Sequence, residues 1–280
     1  MSAGRPPGTI VFSHANSFPA GTYRVLFEAW QQAGWRVLAL PRIGHNPDFP
    51  VTNNWPHLRD ELLAFVQAQA PGEKVHLVGH SLGGFLSLLA ASKRPLLARS
   101  VVLLDSPVVA GWRGHALQLF KATGAAARRG PARVSMARRQ HWPSAEAAHA
   151  HFAAKPVFAR WDGRVLRDYI ACGIEPDADS STPGGVRLAF HREVETQIYN
   201  TLPHHIGRLL RRHPPACPVS FIGGKHSTEV GHAGLAATRE VTKGRIEWLP
   251  GWHLFPMELP DETAAAVLRA IGHSSAIPGP

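Results

Sequence analysis

Short apolar runs and amphipathic stretches alternate through the N-terminal hundred residues. TIVFS (9–13), RVLAL (36–40) and KVHLVG (74–79) are brief, rich in branched residues and bounded by Gly, Pro or Asn, which predicts buried strands. Helical periodicity fills the gaps. The stretch 23–33 ends at Gly34, and 55–70 places Leu58, Leu62, Phe65 and Val66 on one face before Pro71-Gly72 stops it. After Ser81, Leu82, Phe85, Leu86 and Leu89 repeat at helical spacing as far as Pro95, and SVVLLD (100–105) supplies another strand. From Pro107 to Pro215 the texture changes to Ala-, Arg- and His-rich helical stretches with several tryptophans and a Pro/Gly/Ser-rich loop at 176–185. The alternation then returns with PVSFIGG (218–224), GRIEWLPG (244–251) and a final helix at 261–271 that Asp261 is expected to cap. This order predicts an α/β protein: one mostly parallel sheet flanked by helices, its core in 1–106 and 216–280, with a helical cap inserted at 107–215.

A chain of 280 residues with 44% hydrophobic content suits one large domain carrying an insertion. No window reaches the apolar length needed to span a bilayer, and MSAGRPPG holds no signal core, so the expected address is cytoplasmic. Cys172 and Cys217 form no C-x-x-C pair and are expected to stay reduced. The net charge of +10 raises the question of nucleic acid. Arg128, Arg129, Arg133, Arg138 and Arg139 form one basic cluster, and Arg208, Arg211 and Arg212 another. No helix-turn-helix, zinc-finger or ribonucleoprotein signature accompanies them, which favours a solvated arginine-rich surface, with no nucleic-acid partner expected.

In an open α/β sheet, residues just after the parallel strands converge on one rim. Here these are His14 and Asn16, Ser81, Asp105, Ser227 with Glu229, and His253. Together they offer a hydroxyl, carboxylates and imidazoles. Gly79-His80-Ser81-Leu82-Gly83 fits G-x-S-x-G, which puts a serine hydroxyl on a tight strand-to-helix turn, the glycines relieving clashes between close backbones. Neither a dinucleotide loop nor a P-loop has this spacing.

The segments VFSHAN, VGHSLGG, VVLLDSP and LPGWHLFP resemble those of the α/β-hydrolase family, over nearly the whole chain. The resemblance implies Ser81 as nucleophile and His253 as general base, with the backbone N–H groups of Leu82 and Asn16 as oxyanion donors. The acid is open between two residues. The commonest family position, beyond PVSFI, holds Ser227 with Glu229 displaced from it, whereas Asp105 occupies the family's other acid position and is the preferred assignment. His14-Ala15 replaces the usual His-Gly of the oxyanion loop. Among the 17 histidines no H-E-x-x-H occurs, so neither a metal nor any other cofactor is expected. The expected reaction is hydrolysis of a carboxylic ester of a small apolar molecule through an acyl-enzyme, faster as pH rises through about 6 to 7. Thioester or carbon–carbon bond hydrolysis, or a non-catalytic ligand receptor, fits the same fold. Trp112, Trp142, Phe152, Phe158 and Trp161 are candidates to line a substrate pocket or to pack as cap core.

Overall fold

The computed structural model describes residues 7–109, 131–180 and 182–275. Six strands, β1 (Thr9–Ser13), β2 (Arg36–Ala39), β3 (Val75–His80), β4 (Ala98–Leu104), β8 (Val219–Gly224) and β9 (Ile246–Leu249), form one sheet in the order β2-β1-β3-β4-β8-β9. Every neighbouring pair is parallel. The chain steps outward from β1 to β2, then returns to build β3 and its successors on the other side of β1. That reversal opens a crevice beyond the carboxyl ends of β1 and β3.

Strand alternation divides the core in two. Ile10, Phe12, Val78, Val102 and Ile222 face α1 (Arg24–Gln32) and the C-terminal helix Pro260–Ser275, where Trp30 Nε1 donates to the carbonyl of Ala264 at 3.1 Å. Val11, Leu77, Val101, Leu103 and Phe221 face α2 (Pro56–Gln69) and α3 (Leu82–Lys93). Burying each such side chain contributes about 1.5–3 kcal/mol, so both faces of the sheet are tightly specified. The final helix opens at Pro260 rather than after Asp261. Pro suits the first helical position because its missing N–H would have had no helical acceptor, and Asp261 instead receives Arg164 at 2.6 Å.

Between β4 and β8 the described residues form short helices at Pro131–Met136, Ala145–Ala153, Gly163–Gly173, Arg192–Asn200 and Ile206–Arg212. They also form an antiparallel sheet of β5 (His141–Trp142), β6 (Ile174–Pro176) and β7 (Val186–Leu188), in the order β5-β7-β6. The purely helical expectation missed these strands, because two or three residues cannot display a period of two. Phe152, Phe158, Trp161 and Tyr169 pack ring against ring, with centroids 4.6 Å apart for Phe158 and Trp161, and Phe18 from the loop after β1 joins them at 5.4 Å from Trp161. No described helix is long and apolar enough to cross a membrane.

Candidate active site

Ser81 stands between β3 and α3 with φ 51° and ψ −112°, a conformation that costs roughly 1–3 kcal/mol for a non-glycine residue. Neighbours over-determine it. Its N–H donates to the carbonyl of Leu104 at 3.0 Å, and its own carbonyl accepts from the N–H of Gly84 at 3.1 Å and from Ser106 Oγ at 2.9 Å. A Cβ on Gly79 would lie 2.2 Å from the carbonyl of Gly83, and one on Gly83 would lie 1.9 Å from the carbonyl oxygen of Ser13. The glycines of the pentapeptide are therefore required by contact between β1, β3 and α3.

This turn presents Ser81 Oγ 3.1 Å from His253 Nε2, and His253 Nδ1 lies 2.7 Å from Asp105 Oδ2. Asp105 follows β4 at φ 45° with its side chain fully buried. Its Oδ1 accepts the N–H of Gly224 at 2.8 Å, and its Oδ2 also accepts the hydroxyl of Ser227 at 2.5 Å. Glu229 Oε2 stays 3.9 Å from His253 Nδ1, beyond hydrogen-bond distance, and its side chain is half exposed. The imidazole is thus bonded to Asp105, with Glu229 acting on it only as a nearby charge. Asp105, Glu229 and His253 also offer three possible cation ligands within 4.8 Å of one another. Asp105, however, already accepts from Gly224, Ser227 and His253.

A second chain of bonds, invisible in the sequence, anchors the loop that carries His253. His80 Nε2–H donates to the carbonyl of His253 at 2.9 Å, which leaves Nδ1 to accept from Tyr23 Oη at 2.8 Å; Tyr23 Oη in turn accepts the N–H of Ala15 at 3.2 Å. Burial, assisted by the charge of His253, holds His80 well below the ordinary histidine range, in keeping with this neutral tautomer. His14 donates through Nδ1 to the carbonyl of Ala15 and accepts at Nε2 from the N–H of Ile43, and burial lowers it to about 4. For His253, burial pulls the pKa down, but the hydrogen bond and charge of Asp105, helped by Glu229, outweigh it and leave the group above its ordinary value. Glu229 is lowered overall, because the attraction of His253 and local hydrogen bonds exceed its burial.

Tyr23 occupies the N–H of Ala15, and both Ala15 and the next residue of that loop, Asn16, line the cavity. Leu82, at the start of α3, has no helical acceptor for its N–H. Asn16 Nδ2 donates to the carbonyl of Glu195, tying the loop to the segment between β4 and β8. The cavity above Ser81 and His253 measures about 1070 Å³. Phe158 lines it together with Phe18, Val157, Trp252 and Leu254, whereas Trp142, Phe152 and Trp161 are buried in the aromatic packing. Trp112 lies outside the described residues. Sequence reasoning did not find Ser106, Tyr23 or the contact of His80 with the His253 loop. It did register the serine at 227 as a missing carboxylate, and that serine donates to the carboxylate that β4 provides.

Residues 9–182 match the family model described as the alpha/beta hydrolase fold. Monoglyceride lipase of Rattus norvegicus is 30% identical over 114 residues, which span 39% of this chain and only 38% of the lipase. The crystal structure of E-2-(acetamidomethylene)succinate hydrolase superposes with a TM-score of 0.70 at 22% identity, covering 95% of this chain and 91% of that one. A thioesterase domain from the curacin biosynthetic pathway gives 0.68 at 16% identity, covering 95% and 92%. At such identities the two structures speak for the architecture alone. The family match over 9–182, with the parallel sheet that continues past it, makes this chain a member of the alpha/beta hydrolase family.

Proposed function

We propose that the protein is a serine hydrolase that cleaves carboxylic esters, with Ser81 as nucleophile, His253 as general base and Asp105 as the acid that orients it. Ser81 Oγ attacks the ester carbonyl while His253 Nε2 takes its proton, and the N–H groups of Leu82 and Asn16 receive the oxyanion. Asp105 balances the charge that forms on the imidazole. The tetrahedral intermediate collapses, the alcohol leaves with the proton from His253, and an ester of Ser81 remains. Water, giving its proton to His253, then adds to the acyl carbonyl, and the second collapse releases the acid and restores Ser81. The segment 107–215 serves as a cap that shapes the cavity, and the cytoplasm is our proposed location.

The observation that carries this reading is the unbroken Oγ, imidazole, carboxylate series at 3.1 and 2.7 Å, at the bottom of a cavity large enough for a small substrate. The partial likeness to a monoglyceride lipase supports an ester over other bonds. A fluorophosphonate is expected to label the protein and to fail with Ser81→Ala, and short aryl esters are expected to be turned over repeatedly. Persistent labelling of the variant would refute the nucleophile. Labelling without repeated turnover would favour a receptor on a hydrolase fold.

A further inference from the structure

We propose that the substrate carries an anionic group, a carboxylate or a phosphate, remote from the scissile carbonyl, and that Lys155 and Arg139 receive it beside Arg138. The proposal rests on the hydrolase reading and adds the substrate class. The part of the cavity wall contributed by the segment between β4 and β8 is cationic, with Arg133, Arg138, Arg139, Lys155 and Arg160. The carboxylates in the same wall are Glu195 and Glu229.

Two of the cations are already answered. Arg138, nearly buried, bonds Glu195 at 3.0 Å and donates to Tyr169 Oη at 2.7 Å, and Arg160 pairs with Glu258 at 3.3 Å. Among the described residues, none brings a carboxylate within ion-pair distance of Arg133, Arg139 or Lys155. Lys155 rests on an aromatic ring, and Arg139 rests on another while its Nε donates to the carbonyl of His141 at 2.8 Å. Lys155 Nζ lies 5.3 Å from the ring centre of Phe152, and the guanidinium of Arg139 lies 5.6 Å from that of Trp142. A ring face attracts a cation without consuming its hydrogen-bond donors, so these groups stay positioned and able to bind an anion.

Lys155 is half-buried, and burial reinforced by the charge of Arg138 pulls it below the ordinary lysine value. A negative ligand would relieve both penalties at once. The basic cluster read from the sequence as a solvated surface thus faces the cavity through Arg133, Arg138 and Arg139, while Arg128 and Arg129 lie outside the described residues. Phe18, Val157, Phe158 and Leu254 supply an apolar stretch of the same wall. The fitting molecule is amphipathic, apolar along its middle and charged at its far end.

The test compares 4-nitrophenyl hemiglutarate with 4-nitrophenyl pentanoate, matched in chain length and differing in the terminal charge. We expect kcat/KM to favour the hemiglutarate on the order of tenfold or more, and the preference to shrink as salt rises. Lys155→Glu and Arg139→Glu should each collapse that ratio, and Lys155→Arg should keep it. Arg139 is exposed, so its variant remains informative if Lys155→Glu fails to fold. A preference for pentanoate, or a ratio unmoved by both reversals, overturns the anion site and leaves the hydrolase reading intact. If no ester is turned over and Ser81 is not labelled, the hydrolase reading fails, and calorimetric titration of the full chain with glutarate and with hexyl phosphate decides the site separately. Binding that Lys155→Glu abolishes supports it, the tighter ligand naming carboxylate or phosphate; binding of neither overturns it.

Discussion

The rim of the main sheet and the segment between β4 and β8 both reach the cavity, but they hold their side chains by different means. On the rim, Ser81 is fixed by main-chain bonds on both sides, and Asp105 is fixed by Gly224 and Ser227. Gly79 and Gly83 let backbones meet at separations that exclude any Cβ. In the other segment the strands run two or three residues, and Lys155 and Arg139 rest on ring faces. The difference suits the job proposed for each. Bond-making needs reacting atoms held within a fraction of an ångström. Attraction between charges falls off slowly and tolerates looser placement.

Three substitutions sharpen that contrast. The largest effect is expected from Asp105→Asn, which keeps the shape but sets an amide among the donors of Gly224, Ser227 and His253. It should lower kcat by about 10³- to 10⁴-fold with little change in folding, checked by steady-state kinetics alongside a melting curve. Next, Gly83→Ala forces a methyl against the backbone of β1. It should cost about 3 kcal/mol or more, seen as a drop of roughly 6–12 °C in Tm. Gly163→Ala, whose Cβ would meet nothing closer than 3.5 Å, should shift stability by under about 1 kcal/mol. Equal losses at the two glycines would erase the distinction between a tight rim and a forgiving segment between β4 and β8.

The smallest effect concerns pH. As the proposed base, His253 works when neutral, and Asp105 and Glu229 raise it, so kcat/KM should climb with pH through a midpoint above the ordinary histidine value. The shift is upward from the unperturbed imidazole on which the sequence expectation rested. Glu229→Gln removes one of the charges that favour the protonated imidazole. The rising limb should therefore move to lower pH, with the plateau reduced only a few-fold. A fall in kcat as deep as that of Asp105→Asn would transfer the acid's role to Glu229.

The six main strands were legible within a residue or two, because the inner four are buried, near-continuous apolar runs and the half-exposed edge strands β2 and β9 are still short branched runs bounded by Gly or Pro. The positions on the rim were legible too, since strand ends in a parallel sheet converge by topology. Partners that come from remote elements left no such mark. Tyr23, in the helical turn Ala20–Tyr23, and His80, at the end of β3, are far apart in the chain, and only the tertiary fold makes them bond. The acid was partly legible: Asp105 was the preferred assignment over Glu229, but the distances of 2.7 and 3.9 Å from His253 depend on how the two strand ends meet in space.

Local composition was enough to determine the alternating architecture, the strained turn at Ser81 and the set of groups able to meet there, for these depend on periodicity and on where glycine is obligatory. Tertiary structure alone decided which carboxylate stands at 2.7 Å from His253 and which at 3.9 Å. It alone turned Arg138, Arg139 and Lys155 inward upon the cavity. The physical reason is that a side chain's reach is set by the relative placement of elements joined through distant contacts, and no stretch of neighbouring residues encodes that placement.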